Sequence, residues 1–326
     1  MSNLERDPAE LLCAHIDAAL GAEVEILEPR LVPLGGPRAM PVRRTLPQRA
    51  RSTIGAWCFL DHYGPDDVSL TGGMEVPPHP HTALQTASWL FEGEIEHRDS
   101  VGTHAIVRPG ELNLMTAGHG ISHSEVSTTD TTVLHGVQLW VALPGADRGV
   151  APFFERSDAI RIEHEGALIR LFAGELHGAH ARTATFSPLL GAQIDLEPGA
   201  HLELKTDERF EHGVLVDRGS VTLCDSPVAR YELGYLAPGR SRIGLAAGPE
   251  GARVVLLGGT PYGEQLVMWW NFIGGDHDEV AAARADWQGD VIDGGDRGGR
   301  FGHVADYPGA ALPAPVLPNV RLRPRD

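Results

Sequence analysis

Cysteine is scarce in this chain: three in 326 residues, at Cys13, Cys58 and Cys224. They are widely separated, odd in number and never spaced as Cys-x-x-Cys. Neither a disulfide framework nor a structural zinc site is supported, and free thiols in a reducing compartment are expected. No apolar run approaches a membrane span, and the opening MSNLERDPAE carries no apolar signal core. No membrane association and a cytoplasmic location are the expectation. Basic residues are also short, 27 Lys plus Arg against 44 Asp plus Glu, for a formal net charge of −17. Such a surface is repelled by a phosphate backbone, which argues against direct nucleic-acid binding. Two basic clusters, Arg43, Arg44, Arg49 and Arg51 and then Arg321, Arg323 and Arg325, read as solvated strand edges and a tail.

What is present points to strands. Hydrophobic residues make up 42% of a chain long enough for two domains, and 39 Gly and 24 Pro punctuate it. ASWLFEGEIEHRD, VLHGVQLWVALP, GALIRLFAGEL and GARVVLLGG are short apolar or alternating runs bounded by turn residues, the pattern of β-strands. Only two helices are expected. DPAELLCAHIDAALG has Asp7 as cap, Pro8 in the first turn and Leu11, Leu12, Ile16, Ala19 and Leu20 on one face. DHDEVAAARADWQG starts a second near Asp276 or Asp278 and stops at Gly289. The Gly- and Pro-rich end should be an extended arm or partly disordered.

The chain also resembles itself. With Gly73 set against Gly199, GGMEVPPHPHTALQTASWLFEG falls on EPGAHLELKTDERFEHGVLVDRG, with turn glycines at Gly93 and Gly219 and again at Gly110 and Gly234. Two copies of one β-unit are expected. In the second copy Lys205 and Asp207 stand opposite His79 and His81, and Ala247 lies near the counterpart of His123. The second copy therefore lacks whatever chemistry the first performs, and its Lys205 and Asp207 can pair with each other as a remnant.

That chemistry is written in PPHPHTALQT and GHGISHSE. Residues i and i+2 of a strand share a face, so His79 and His81 aim two imidazoles into one space, and His123 and Glu125 do the same from another segment. If the segments face each other, three nitrogens and a carboxylate converge. Pro80 lacks an N–H, which confines its segment to a strand end or edge. Of the sixteen histidines, His15, His97, His104, His135, His164, His177, His180, His201, His212, His277 and His303 take the default reading of surface or hydrogen-bonded core residues. Three imidazoles and a carboxylate suit a divalent first-row ion and leave two positions of an octahedron open.

Gly73 followed by five residues and His79-x-His81 resembles the opening of the cupin metal motif. WCFLDHYGP, PHPHTALQT, LFEGEIEHRDSVG and RPGELNLMTAGHGISHSE resemble the pirin family, most strongly over about residues 55–145. The resemblance implies an all-β bicupin of two stacked β-barrels. Its expected layout is a helical extension over 1–35, a metal-binding cupin over 36–148, a degenerate cupin over 149–270, and a helix with an arm packing back over 271–326. The family's ligands fall on His79, His81, His123 and Glu125. The implied cofactor is one divalent ion, Fe(II) first, with Mn, Co, Ni, Cu or Zn as alternatives. The implied activity is that of a quercetin 2,3-dioxygenase acting on a small aromatic flavonol and O₂. Glu125 would serve as the catalytic base that takes the proton of the 3-hydroxyl, the metal would stabilise the enolate, and the ring would open with loss of carbon monoxide. The alternative implied by the family is a non-enzymatic, redox-sensing iron protein acting through a protein partner; a cupin enzyme with another substrate is a third reading. HTALQT and TAGHGI depart from the family's usual HRGFET and TAGRGI. Gln85 and His119 are thus expected beside the metal, His119 either supporting the site or simply turning the chain. Trp89, Leu114 and Met115 are expected to wall the pocket or to fill the core.

Overall fold

Apolar residues that alternate or run for only a few positions, cut by glycine and proline, produce short antiparallel strands throughout this chain. The computed structural model describes residues 24–34, 40–295 and 297–324. In the first half a seven-stranded sheet runs in the order Phe153–Asp158, Glu111–Thr116, Leu84–Glu92, Val133–Ala142, Trp57–Asp67, Met40–Leu46, Arg30–Leu34. A four-stranded sheet of Glu75–His81, Ile121–Ser127, Ile95–Asp99 and His104–Val107 packs on it, the two sharing Val76, Ile95 and Val107 with Val42, Tyr63 and Leu90. In the second half a nine-stranded sheet curls around Ile169, Leu202, Leu204, Val214, Ile243 and Leu256. The chain is therefore all-β, with two stacked barrels, as expected.

A shared apolar layer joins the barrels: Trp57, Trp89, Leu114 and Leu139 from the first meet Phe172, Leu215 and Leu257 from the second. Each such side chain, fully buried, contributes about 1.5–3 kcal/mol. Trp89 and Leu114 are thus core, and Met115 lies in another buried cluster with Phe59 and Trp140. Strands are also exchanged. Glu25–Leu27 pairs with Leu233–Leu236 of the second barrel, whereas Phe153–Asp158 pairs with Glu111–Thr116 of the first.

The expected helix over residues 7–21 lies outside the described residues, as does Cys13; neither Cys58 nor Cys224 is in a disulfide. The second helix spans His277–Trp287, capped by the Asp276 carboxylate on the Glu279 N–H at 3.0 Å. Val280, Ala283 and Trp287 form its buried stripe. Instead of stopping at Gly289 it widens into a π-turn over Gln288–Ile292. The arm beyond is extended but pinned, with Phe301, Val304, Ala314 and Leu322 buried.

Three expectations are corrected. Arg44 is no solvated edge residue: it is buried and clamps Asp61 with two hydrogen bonds, at 2.7 and 2.8 Å. Arg43 and Arg51 lie over the rings of Tyr231 and Tyr235. Gly234 sits inside a strand, where a side chain would strike Leu223 and Val228, and not in a turn like Gly110. Asp207 pairs with Arg209, not with Lys205, and that guanidinium lowers the Asp207 pKa to about 2. The strand His201–Lys205 buries Leu202 and Leu204 and exposes His201, Glu203 and Lys205. With a side-chain period of two, the position aligned with His79 faces outward and leucines fill the interior where the first barrel has imidazoles.

Candidate metal centre

The Pro-rich strand Glu75–His81 is an edge strand, so the missing N–H of Pro80 costs no ladder bond. Its neighbour is Ile121–Ser127. The two ligand-bearing segments do not face each other across the barrel; they are paired strands in one sheet, with His79 directly opposite His123 and His81 opposite Ile121. A bulge between His123 and Glu125 moves Glu125 to the level of Val76.

The three imidazoles converge. Their offered nitrogens lie within 4.8 Å of one another, and ring centroids are 4.3 Å apart for His79–His123 and 5.0 Å for the other two pairs. Each ring is held from behind. His79 Nδ1 is 2.8 Å from the Pro77 carbonyl and His81 Nδ1 is 3.1 Å from the Asn271 carbonyl. A carbonyl only accepts, so both Nδ1 atoms carry the proton and both Nε2 lone pairs are bare. His79 Nε2 is buried without a partner among the described residues. His81 Nε2 and His123 Nε2 approach to 3.1 Å. Burial holds the imidazole pKa values down, well below the usual range for His79 and His123 and to about 3 for His81. Neutral rings with bare nitrogens aimed at one point repel each other unless a cation lies between them. The donor set therefore fits a metal ion.

Glu125 is buried beside this cup, in a second group of possible donors with His123 and His97, all within 4.8 Å of one another. Its Oε1 is 3.4 Å from Ser88 Oγ, whose single hydrogen is directed at Gln138 Oε1, 2.8 Å away. Burial and the Glu125 charge push the Tyr63 hydroxyl well above its usual pKa, so the phenol stays protonated next to the carboxylate.

Two sequence expectations shift. Gln85 is not beside the cup: it donates to Thr116 Oγ1 at 2.9 Å and, across to the second barrel, to the Ala184 carbonyl at 3.0 Å. His119 is an exposed turn residue whose N–H donates to the Val150 carbonyl and whose own carbonyl accepts from Arg300.

Sequence reasoning missed the partners behind the ligands. The Asn271 carbonyl arrives from 190 residues away. His97 and Asp99 stand behind His123, and their own i, i+2 spacing was the signal that could have marked them.

A second cluster, His62, His135 and Asp217, spans the two barrels. Here both Nε2 atoms contact one carboxylate oxygen, at 2.8 and 2.6 Å, and His62 Nδ1 is the orphan. The tautomer is the reverse of that in the cup. Nε2–H donors face an acceptor-only carboxylate, and Arg253 approaches its other oxygen at 3.4 Å. This is a hydrogen-bonded clamp between barrels rather than a metal cup.

Comparison with known proteins agrees with this architecture. Two family models match, one described as Pirin over residues 39–141 and one as the Pirin C-terminal cupin domain over residues 191–292. The chain is 43% identical over 291 residues to a Pseudomonas aeruginosa protein named "Putative quercetin 2,3-dioxygenase PA1205", covering 89% of each. It is 37% identical to a pirin-like protein of Caulobacter vibrioides, covering 76% of this chain and 88% of the relative. A crystal structure of quercetin 2,3-dioxygenase from Acinetobacter baumannii superposes with a TM-score of 0.86 at 34% identity, over 93% of this chain and 98% of the other.

Proposed function

Because the chain belongs to the pirin family, we propose that it is a metal-dependent dioxygenase that opens flavonols such as quercetin with O₂ at a centre formed by His79, His81, His123 and Glu125. The observation that carries the proposal is the set of three buried imidazoles whose nitrogens converge within 4.8 Å, with His79 and His81 offering bare Nε2 lone pairs. The names of the Pseudomonas and Acinetobacter relatives support the substrate class.

In this reading His79, His81 and His123 through Nε2, together with the Glu125 carboxylate, hold one divalent first-row ion, Fe(II) first. When bound, the ion supplies Lewis-acid stabilisation of a substrate oxygen as that oxygen loses its proton. The chain's own residues do the rest. Glu125 receives the proton of the flavonol 3-hydroxyl, a role open to a carboxylate within hydrogen-bond reach. Ser88 Oγ lies 3.4 Å from that carboxylate, with its hydrogen directed at Gln138 Oε1 at 2.8 Å. Burial and the Glu125 charge keep the Tyr63 phenol protonated. The surrounding barrel keeps these groups dry, which strengthens each polar contact among them.

The test is metal analysis of anaerobically prepared protein, followed by oxygen uptake and carbon monoxide release with a flavonol panel. One ion per chain is expected, with O₂ consumption matched to flavonol loss and abolished by Glu125→Ala. If no ion and no flavonol gives turnover, the reading is rejected. The regulatory alternative would then require reversible, redox-dependent binding to a protein partner.

A further inference from the structure

Two of the three imidazoles rest on backbone carbonyls; the third does not. Behind His123, Nδ1 meets Nδ1 of His97 at 3.4 Å, and His97 Nε2 lies 3.1 Å from Asp99 Oδ2. Asp99 is itself fixed, its Oδ1 accepting from the Val101 and Thr103 N–H groups at 3.1 and 2.9 Å. All three side chains are buried, and the paired strands set them in register, His123 opposite Asp99 and Glu125 opposite His97.

The proton positions follow from the chemistry of the donors. The Asp99 carboxylate only accepts, so His97 Nε2 carries a hydrogen. In the neutral ring Nδ1 of His97 is then an acceptor, and it faces His123 Nδ1. The hydrogen therefore sits on His123 Nδ1, and His123 Nε2 is bare where it meets His81 Nε2. Phe154, with its ring centroid 4.8 Å from that of His97, packs against the relay and keeps the imidazole in place. Without an acceptor at this point, His123 could carry its hydrogen on either nitrogen, and one choice blocks the cup.

We propose that His97, oriented by Asp99, is the positioning residue that presents His123 to the metal, so that this pair sets how firmly the centre retains its ion. The proposal rests on His123 being a ligand, as in the function proposed above. Outer partners of this kind change metal affinity by about 10–100-fold when removed. His79 and His81 need no such pair because main-chain carbonyls, which cannot be substituted, already fix their tautomers.

The experiment is Co(II) titration of the full-length protein against a chelator, read by visible absorption. The hyperfine-shifted imidazole N–H signals of the Co(II) protein are counted by NMR. His97→Leu should weaken Co(II) about 10–100-fold with one ion still bound at saturation. His97→Gln, whose amide oxygen can accept from His123 Nδ1, should recover most of that loss. Three imidazole N–H signals should persist in both variants. Unchanged affinity in His97→Leu overturns the proposal, and so does equal loss in His97→Leu and His97→Gln. Disappearance of one imidazole signal in the Gln variant would make His97 a ligand, which also overturns it. His123→Ala is the separate control: if it binds Co(II) like the parent protein, the ligand assignment itself falls. Should His97→Leu fail to fold, the Gln variant and its signal count decide.

Discussion

Lowering the pH should destabilise this protein through one histidine that has no part in the centre. His212 lies on the inner face of the second barrel, in register with Leu236 and Gly258, fully buried, with neither ring nitrogen hydrogen-bonded among the described residues. Burial lowers its pKa from 6.5 to about 4, against the weaker opposing pull of Asp207. Since the folded pKa is the depressed one, the unfolded chain binds the extra proton between those values. The contribution is fully present above pH 6.5 and is lost as pH falls towards 4. At about 1.4 kcal/mol per pH unit, the loss is about 2 kcal/mol by pH 5 and about 3 kcal/mol by pH 4. With an m-value of about 3 kcal/mol/M, the urea midpoint falls by roughly 0.7 M at pH 5. The comparison protein is His212→Leu, which places an aliphatic side chain next to Leu190 and Leu236 and removes two buried nitrogens without partners. It should be at least as stable as the parent at pH 7.5. Its advantage should grow by about 2 kcal/mol at pH 5. Both proteins are measured metal-free, so the other buried imidazoles titrate alike in each and cancel from the difference. A gap that stays constant from pH 7.5 to 5 would refute the reasoning.

Other outcomes are open to direct measurement. His81→Ala should take the metal content from about one ion per chain to near zero, while Asp207→Ala should leave it unchanged; elemental analysis reads both. Asp217→Ala leaves His62 and His135 without their shared acceptor and Arg253 without one of its partners, and should cost about 3–5 kcal/mol in denaturant unfolding. Phe301→Ala opens a hole among Phe272, Trp287 and the arm, costing about 3–5 kcal/mol. The Phe301 ring anchors the main chain whose carbonyl accepts from Ser122, the residue next to His123, so losing the ring should let that carbonyl shift and weaken Co(II) binding in the chelator titration.

Much of this protein was legible in its sequence because the relevant signals are local. A strand's period of two puts His79 with His81 on one face whatever else the chain does, and Pro80 marks the edge strand. Asp276 marked the start of the second helix for the same reason. What stayed hidden depends on residues far apart in the chain. The Asn271 carbonyl that fixes His81 leaves no side-chain trace in the sequence, since any residue carries a carbonyl. Arg44 looked like a solvated charge until strand pairing set it beside Asp61. Gln85 was expected beside the metal because of its place in the motif the chain resembles, yet within its strand it shares a face with Ala87 and Trp89, which pack towards the second barrel.

The sequence by itself determined the strand-rich architecture, the donor types and their pairwise spacing, because these follow from periodicity and side-chain chemistry along a few consecutive residues. Only the tertiary structure decided which ring nitrogen each imidazole offers, that the second barrel is filled with leucines, and that His62 and His135 clamp Asp217. Those outcomes depend on hydrogen-bond partners and packing faces that strand pairing and barrel stacking bring together, at separations that reach 190 residues from His81 to Asn271 and 155 from His62 to Asp217.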